Sequence, residues 1–138
     1  GDINIELTET TGSSYHIVPG ADISKNPTVK VINDSEDCWL FVKVVEEGTF
    51  VKDKVTYAIA DGWEPVTGQT NVYYRRVKST DAVKAFSVLA GNKITVKDTL
   101  TKEEANEAAR AKLTFTAYAI QESAATTADA AWALVPKN

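Results

Sequence analysis

Apolar residues recur at every second position through much of this chain. Ile3, Ile5 and Leu7 alternate with Asn4, Glu6 and Thr8, the period of a strand with one face buried and the other in water. The same period returns where Leu113, Phe115, Ala117 and Ala119 alternate with Thr114, Thr116, Tyr118 and Ile120. From Cys38 to Glu46 both sets of positions are largely apolar: Cys38, Leu40, Val42 and Val44 point one way, and Trp39, Phe41 and Val45 point the other with Lys43. Such a strand is central and covered on both faces, with Lys43 reaching for the sheet margin. Shorter runs predict further strands. One begins at about Thr28, because Pro27 forces Asn26 to be extended and withholds a ladder donor, and it ends at the Asn33-Asp34-Ser35 turn. Others are expected over 55–59, 71–77, 85–89 and 94–96, the last two flanking Gly91-Asn92 at hairpin-like spacing. Turns fall at Gly12-Ser13-Ser14 and Pro19-Gly20, with 15–18 extended between them, at Gly48, and at Asp61-Gly62-Trp63, where Trp63 is placed to cap one end of the core.

The period changes twice near the end. Thr101 with Glu104 reads as a capping box opening a short helix through about Arg110, with Ala105, Ala108 and Ala109 as a modest apolar face. Thr126 with Asp129 reads as a second helix start, after which Ala128, Ala131, Trp132 and Val135 share one face until Pro136 ends it. Roughly eight or nine short strands without alternating long helices argue against a parallel α/β sheet. The expected architecture is all-β: an antiparallel, jelly-roll-like β-sandwich with two short helices near the C-terminus, built as a single domain over 1–138.

Composition adds limits. At 138 residues the chain is long enough to bury about 68% of the surface of its unfolded form without metals or disulfides. Apolar residues make up 43% and charged residues 25%, as in ordinary globular domains. A net charge of −4, with both signs interspersed, disfavours nucleic acid as a partner. Cys38 is the sole cysteine, which excludes an internal disulfide, and its apolar neighbours mark it as a buried small side chain rather than a nucleophile. No apolar run reaches the length of a membrane span, and residues 1–20 lack the basic start and apolar middle of a signal peptide.

Reactive chemistry is sparse. His16 is the only histidine, so no HExxH helix exists and a nucleophile–histidine arrangement would depend on one residue in a short extended stretch. No glycine-rich phosphate loop is present. Asp34, Glu36 and Asp37 crowd one turn and offer oxygen ligands of the kind calcium takes, but not at EF-hand spacing; solvated turn residues account for them as well. Glu46-Glu47 and Glu103-Glu104 read as surface. The one aromatic and basic cluster is Tyr73, Tyr74, Arg75 and Arg76. Alternation sends Tyr73 and Arg75 to one face and Tyr74 and Arg76 to the other, each pair suited to stack on a sugar or meet an acidic partner, or simply to fill and cover the sheet. Lys30 and Lys43 are candidates for a lysine–asparagine isopeptide crosslink if they lie inside the sandwich, against a plainer reading in which they reach out at its edge.

Several segments occur together in one order. These are Ile3-Asn-Ile-Glu-Leu-Thr-Glu9, Lys25-Asn-Pro-Thr-Val29, Asn33-Asp-Ser35, the strand from Trp39 to Val44, Gly62-Trp63, Tyr73-Tyr74, and Leu113 to Gln121 followed by Ala130-Ala-Trp132. In this the chain resembles exported Gram-positive proteins processed by the SipW-type signal peptidase, the TasA and camelysin group, and is most similar to clostridial members with a strand ending A-x-A-I-Q before a short helix ending A-W. The resemblance implies an extracellular or cell-surface jelly roll that forms or decorates biofilm-matrix fibres, and the sparse reactive chemistry adds the expectation of no cofactor and no catalysis. It implies self-association by donor-strand exchange, in which an extended segment of one subunit completes the sheet of the next. Ile3, Ile5 and Leu7 are then the candidate subunit-contact strand, and the donor segment is expected upstream of residue 1. Camelysin members carry a metallopeptidase label, which the single histidine does not support. The alternative expectation is a monomeric extracellular module that binds a glycan or surface ligand near Tyr73, Tyr74, Arg75 and Arg76.

Overall fold

The run from Cys38 becomes β4 (Cys38–Glu47), the strand on which the rest of the molecule is assembled. The computed structural model describes residues 2–12 and 15–137. On one side β4 pairs antiparallel with β10 (Lys112–Gln121) over its whole length, from Lys112↔Glu47 to Gln121↔Cys38. On the other it pairs with β7 (Val72–Val77), and β6 (Glu64–Pro65) adds two residues to the far edge of β7. The resulting four-stranded sheet has the order β10-β4-β7-β6.

Facing it are two three-stranded antiparallel sheets that continue one another. In the first, β1 (Ile5–Thr8), β3 (Thr28–Val31) and β8 (Ala85–Ser87) lie in the order β1-β3-β8. In the second, β2 (Asp22–Ser24), β9 (Lys93–Val96) and β5 (Val55–Thr56) lie in the order β2-β9-β5. Strands β8 and β9 flank Gly91-Asn92 but do not pair with each other, so the expected hairpin is absent. Instead β8 runs on into β9 opposite β3 and β2. Residues 88–92 on one side face only 25–27 on the other, and Gly91 and Asn92 absorb the surplus with φ of 68° and 51°; a bulge, not a turn-back, is what these two residues encode. Across it the Val88 N–H donates to the Pro27 carbonyl and the Lys25 N–H to that of Asn92.

The core lies between these layers. Val29, Val31, Leu40, Val42, Val77, Val88, Leu89 and Val96 are all buried there, and the expected inward set on β4 is the observed one. A second cluster lies outside the four-stranded sheet, where α3 (Ala128–Leu134) covers Phe41, with Trp39, Tyr74, Tyr118 and Ile120 packed around the margin. The Trp132 ring meets Phe41 at 5.2 Å and stands edge-on to Tyr118 at 5.5 Å. These contacts explain why both faces of β4 are apolar.

Several boundaries differ from expectation. The α3 cap is Thr127, whose hydroxyl accepts from the Ala130 N–H, one residue beyond Thr126. Thr127 has the extended backbone a cap needs. The Thr101 and Glu104 capping box is present, but its helix α2 (Lys102–Asn106) gives way to a 3-10 turn at Ala108–Arg110. The strand expected over 55–59 is paired as a strand only at β5, after which Ile59 keeps one bridge to Leu89. A third helix, α1 (Thr49–Lys54), follows Gly48 and buries Phe50 and Val51; it has no side-chain cap and is too short for a helical period to show. Residues 15–18 form no strand, and the Ser13-Ser14 part of the expected turn lies outside the described residues. Among the described residues, no helix is long and apolar enough to cross a membrane.

Candidate functional site

Both layers end on the same side with an incompletely paired strand. Strand β1 is the edge of its sheet and β10 the edge of the other, and the two lie against one another. The hydrogen bonds fix which backbone groups point outward. The Ile32 N–H donates to the Asn4 carbonyl, so even-numbered residues of β1 face β3 and the N–H and C=O groups of Ile3, Ile5 and Leu7 face the open side. The Val44 N–H donates to the Asn71 carbonyl, so even-numbered residues of β4 turn to β7 and odd ones to β10. By the β4–β10 register, the groups of Leu113, Phe115, Ala117 and Ala119 therefore face outward. Side chains of these residues stand at right angles to those groups, on the core face of each sheet, and are buried or half-buried. The sequence singles out Ile3, Ile5 and Leu7 by their alternation, whereas the exposed edge of β10 follows only from the register.

A shallow groove runs along one end of this side, lined by Asp2, Ile3, Ala119, Ile120, Ala124 and Leu134. Leu134 is 53% exposed, among the most exposed large apolar residues described. At the other end Lys25 is buried beside β10, 2.9 Å from Glu9 and 5.6 Å from the Phe115 ring centroid. Asn26 ties the adjoining chain down by accepting from the Thr10 N–H and donating to the Thr10 hydroxyl. This ion pair closes that end of the open side, and nothing in the local sequence pattern announces it.

The Tyr73, Tyr74, Arg75 and Arg76 cluster is divided by the sheet, as alternation predicts. Tyr73 packs against the core and Arg75 lies over the Trp63 and Phe86 rings, with guanidinium-to-centroid distances of 5.0 and 3.9 Å. Burial pulls the Arg75 guanidinium below its ordinary value. On the opposite face Tyr74 stands edge-on to Trp39, and Arg76 lies over the same Trp39 ring while pairing with Glu122. The four residues therefore make two half-sites on opposite faces.

Asp37 of the acidic turn belongs to a salt-bridged network. It accepts from the Ser79 N–H at 2.6 Å and from Lys78, and Lys78 also reaches Glu122 at 3.0 Å. The Ser79 N–H is the main reason that the Asp37 carboxyl sits below its ordinary range; for Glu122 the main reason is Arg76, followed by Lys78. Ser35 is buried and binds the Asn4 N–H, and Asp34 takes a left-handed φ of 72°. Among the described residues, no group of three or more His, Cys, Asp or Glu is arranged to hold a metal ion. Lys30 and Lys43 are exposed, not interior, because their positions on β3 and β4 point away from the core, so neither has the buried setting a crosslink needs. His16 is exposed, and Cys38 is fully buried with its thiol pushed up to about 11, first by burial.

Compared with models of protein families, with curated proteins and with solved structures, the chain matches none.

Proposed function

We propose that this protein is a non-enzymatic structural subunit, exported from a Gram-positive cell, that builds or decorates an extracellular fibre by accepting an extended segment of another subunit along the β1/β10 side. One observation carries the reading: two strand edges lie side by side and turn the outward backbone groups of Ile3, Ile5, Leu7, Leu113, Phe115, Ala117 and Ala119 to the same opening. An unpaired edge is a template for another strand, and such edges are ordinarily blunted, covered or paired. β10 is ten residues long, about twice the usual strand, and offers a correspondingly long ladder. The resemblance to the TasA and camelysin group points the same way.

The test follows the natural mature protein by negative-stain microscopy and size-exclusion chromatography. Filaments whose subunits are joined along the β1/β10 side support the reading. The second arm is Ala117→Pro, which removes an outward N–H and leaves the β4 ladder intact. It is expected to abolish filaments while the subunit stays folded. If the natural protein remains monomeric across concentration and pH, the reading fails.

A further inference from the structure

Arg75 stands apart from the other cations that lie below the surface. Among the described residues, five cationic side chains are not fully exposed: Lys25, Lys54, Arg75, Lys78 and Lys84. Lys25 pairs with Glu9, Lys54 with Glu104 and Lys78 with Asp37 and Glu122, while Lys84 donates to the Ser79 carbonyl. Arg75 has no ion pair and no hydrogen bond among the described residues; burial alone acts on its charge.

Its position is nevertheless fixed. The guanidinium lies against the Phe86 ring, and Trp63 flanks it with its indole N–H bound to the Ser87 carbonyl at 2.9 Å. Gly62, with φ of 94°, brings bare backbone so close that any side chain there would collide with the guanidinium. Aromatic rings satisfy the flat face of a guanidinium but supply no acceptor for the N–H donors in its plane. What remains is a fork of donors, partly dehydrated and held in place before anything binds, the geometry that a carboxylate matches with two parallel hydrogen bonds.

We propose that Arg75 is a carboxylate-receiving site, its guanidinium clamped by Phe86, Trp63 and Gly62 to take the carboxylate of an acidic sugar or of a free organic acid. A single cation on β7, its guanidinium set against the Gly62 turn that Asp61 and Glu64 flank, on a molecule of net charge −4, favours a monoanion over a phosphate. The site is independent of subunit association, because β7 and β8 lie away from the β1/β10 opening.

The experiment follows the arginine Nε–H and the three tryptophan indole N–H signals by NMR during titration with glucuronate and with propionate. The methyl ester of glucuronate serves as the uncharged control and inorganic phosphate as the rival anion. Saturable movement of the Arg75 and Trp63 signals with both carboxylates, and none with the ester, is the expected result, at dissociation constants of about 1 mM to 10 mM. Tighter binding of glucuronate assigns the acidic sugar; equal binding assigns a free carboxylate. Arg75→Gln should abolish the response and Arg75→Lys weaken it about tenfold, whereas Lys93→Gln should leave it unchanged. The lysine variant keeps a cation over the rings and serves if the glutamine variant does not fold. Absence of saturation, an equal response to phosphate, or persistence in Arg75→Gln would overturn the proposal and leave Arg75 as a plug in the side of the core.

Discussion

Single residues in this fold are constrained by what lies within a few ångströms, and the sequence often gives no hint of it. Cys38 is 0% exposed and its thiol is pushed up to about 11, so both access and thiolate are lacking. Maleimide labelling at pH 8 should therefore be negligible in the native protein and appear at the denaturant concentration where the chain unfolds; rapid labelling of the folded state would contradict the burial described. Gly62 combines a left-handed backbone with the Arg75 guanidinium pressed against it. Gly62→Ala should cost about 1–2 kcal/mol from backbone strain alone, and it forces the Arg75 guanidinium to move off Phe86, at a cost set by how firmly the rings hold it. Truncating Arg75 to Ala should recover the collision part, so denaturation of the two single variants and the double variant should show non-additivity of at least about 0.5 kcal/mol. Arg75, Trp63 and Phe86 come from three separate segments, and periodicity describes only neighbours along one element. Their meeting was therefore not legible in the sequence, although the face on which Arg75 emerges was.

Elements were legible where a single pattern governs them. The alternation on β4 and β10 assigns inward and outward residues correctly, and the apolar stripe of α3 assigns the face that packs on Phe41. Legibility failed where the chain departs from a period: α1 is only six residues long, and Gly91-Asn92 uses turn chemistry for a bulge. The cap of α3 was misplaced because two threonines adjoin and only backbone geometry separates them. Thr127→Ala should then lower stability by about 1 kcal/mol and Thr126→Ala by a few tenths at most, measured by chemical denaturation. Trp132 is 5% exposed and joins the helix to the sheet, so Trp132→Ala should cost about 3–5 kcal/mol. A smaller loss would mean that α3 adds little to the fold.

At the scale of the whole molecule, charge sets limits at both ends of the pH range. Asp37 and Glu122 are held below their ordinary values of 3.8 and 4.5, Asp37 chiefly by the Ser79 N–H and Glu122 chiefly by Arg76; Asp22 and Glu104 are lowered in the same sense, chiefly by Thr95 and Thr101. A lowered folded value means that the stabilisation is complete above the ordinary value and is lost as pH falls through the folded one. Denaturation midpoints should hold steady down to pH 4.5 for these groups and fall below it, and Asp37→Asn with Glu122→Gln should flatten that fall. Cys38 is displaced the other way, from 9.0 to about 11, so its contribution is complete below pH 9 and lost between the two values. Tyr57, raised by burial and by its hydrogen bond to Glu46, adds a loss above pH 10. Cys38→Ala should reduce the alkaline loss, and an unchanged alkaline limb would remove the thiol as its cause. The groove that places Asp2 and Ile3 beside Leu134 has a mechanical meaning. Tension applied between these two points would peel β1 from β3 rung by rung, the direction in which a ladder is weakest, whereas a strand lying along β10 and pulled lengthwise would load its rungs together. Single-molecule stretching should therefore open the subunit at low force when it is held at Asp2 and Leu134, and a fibre made of such subunits would bear load along the edges that join them.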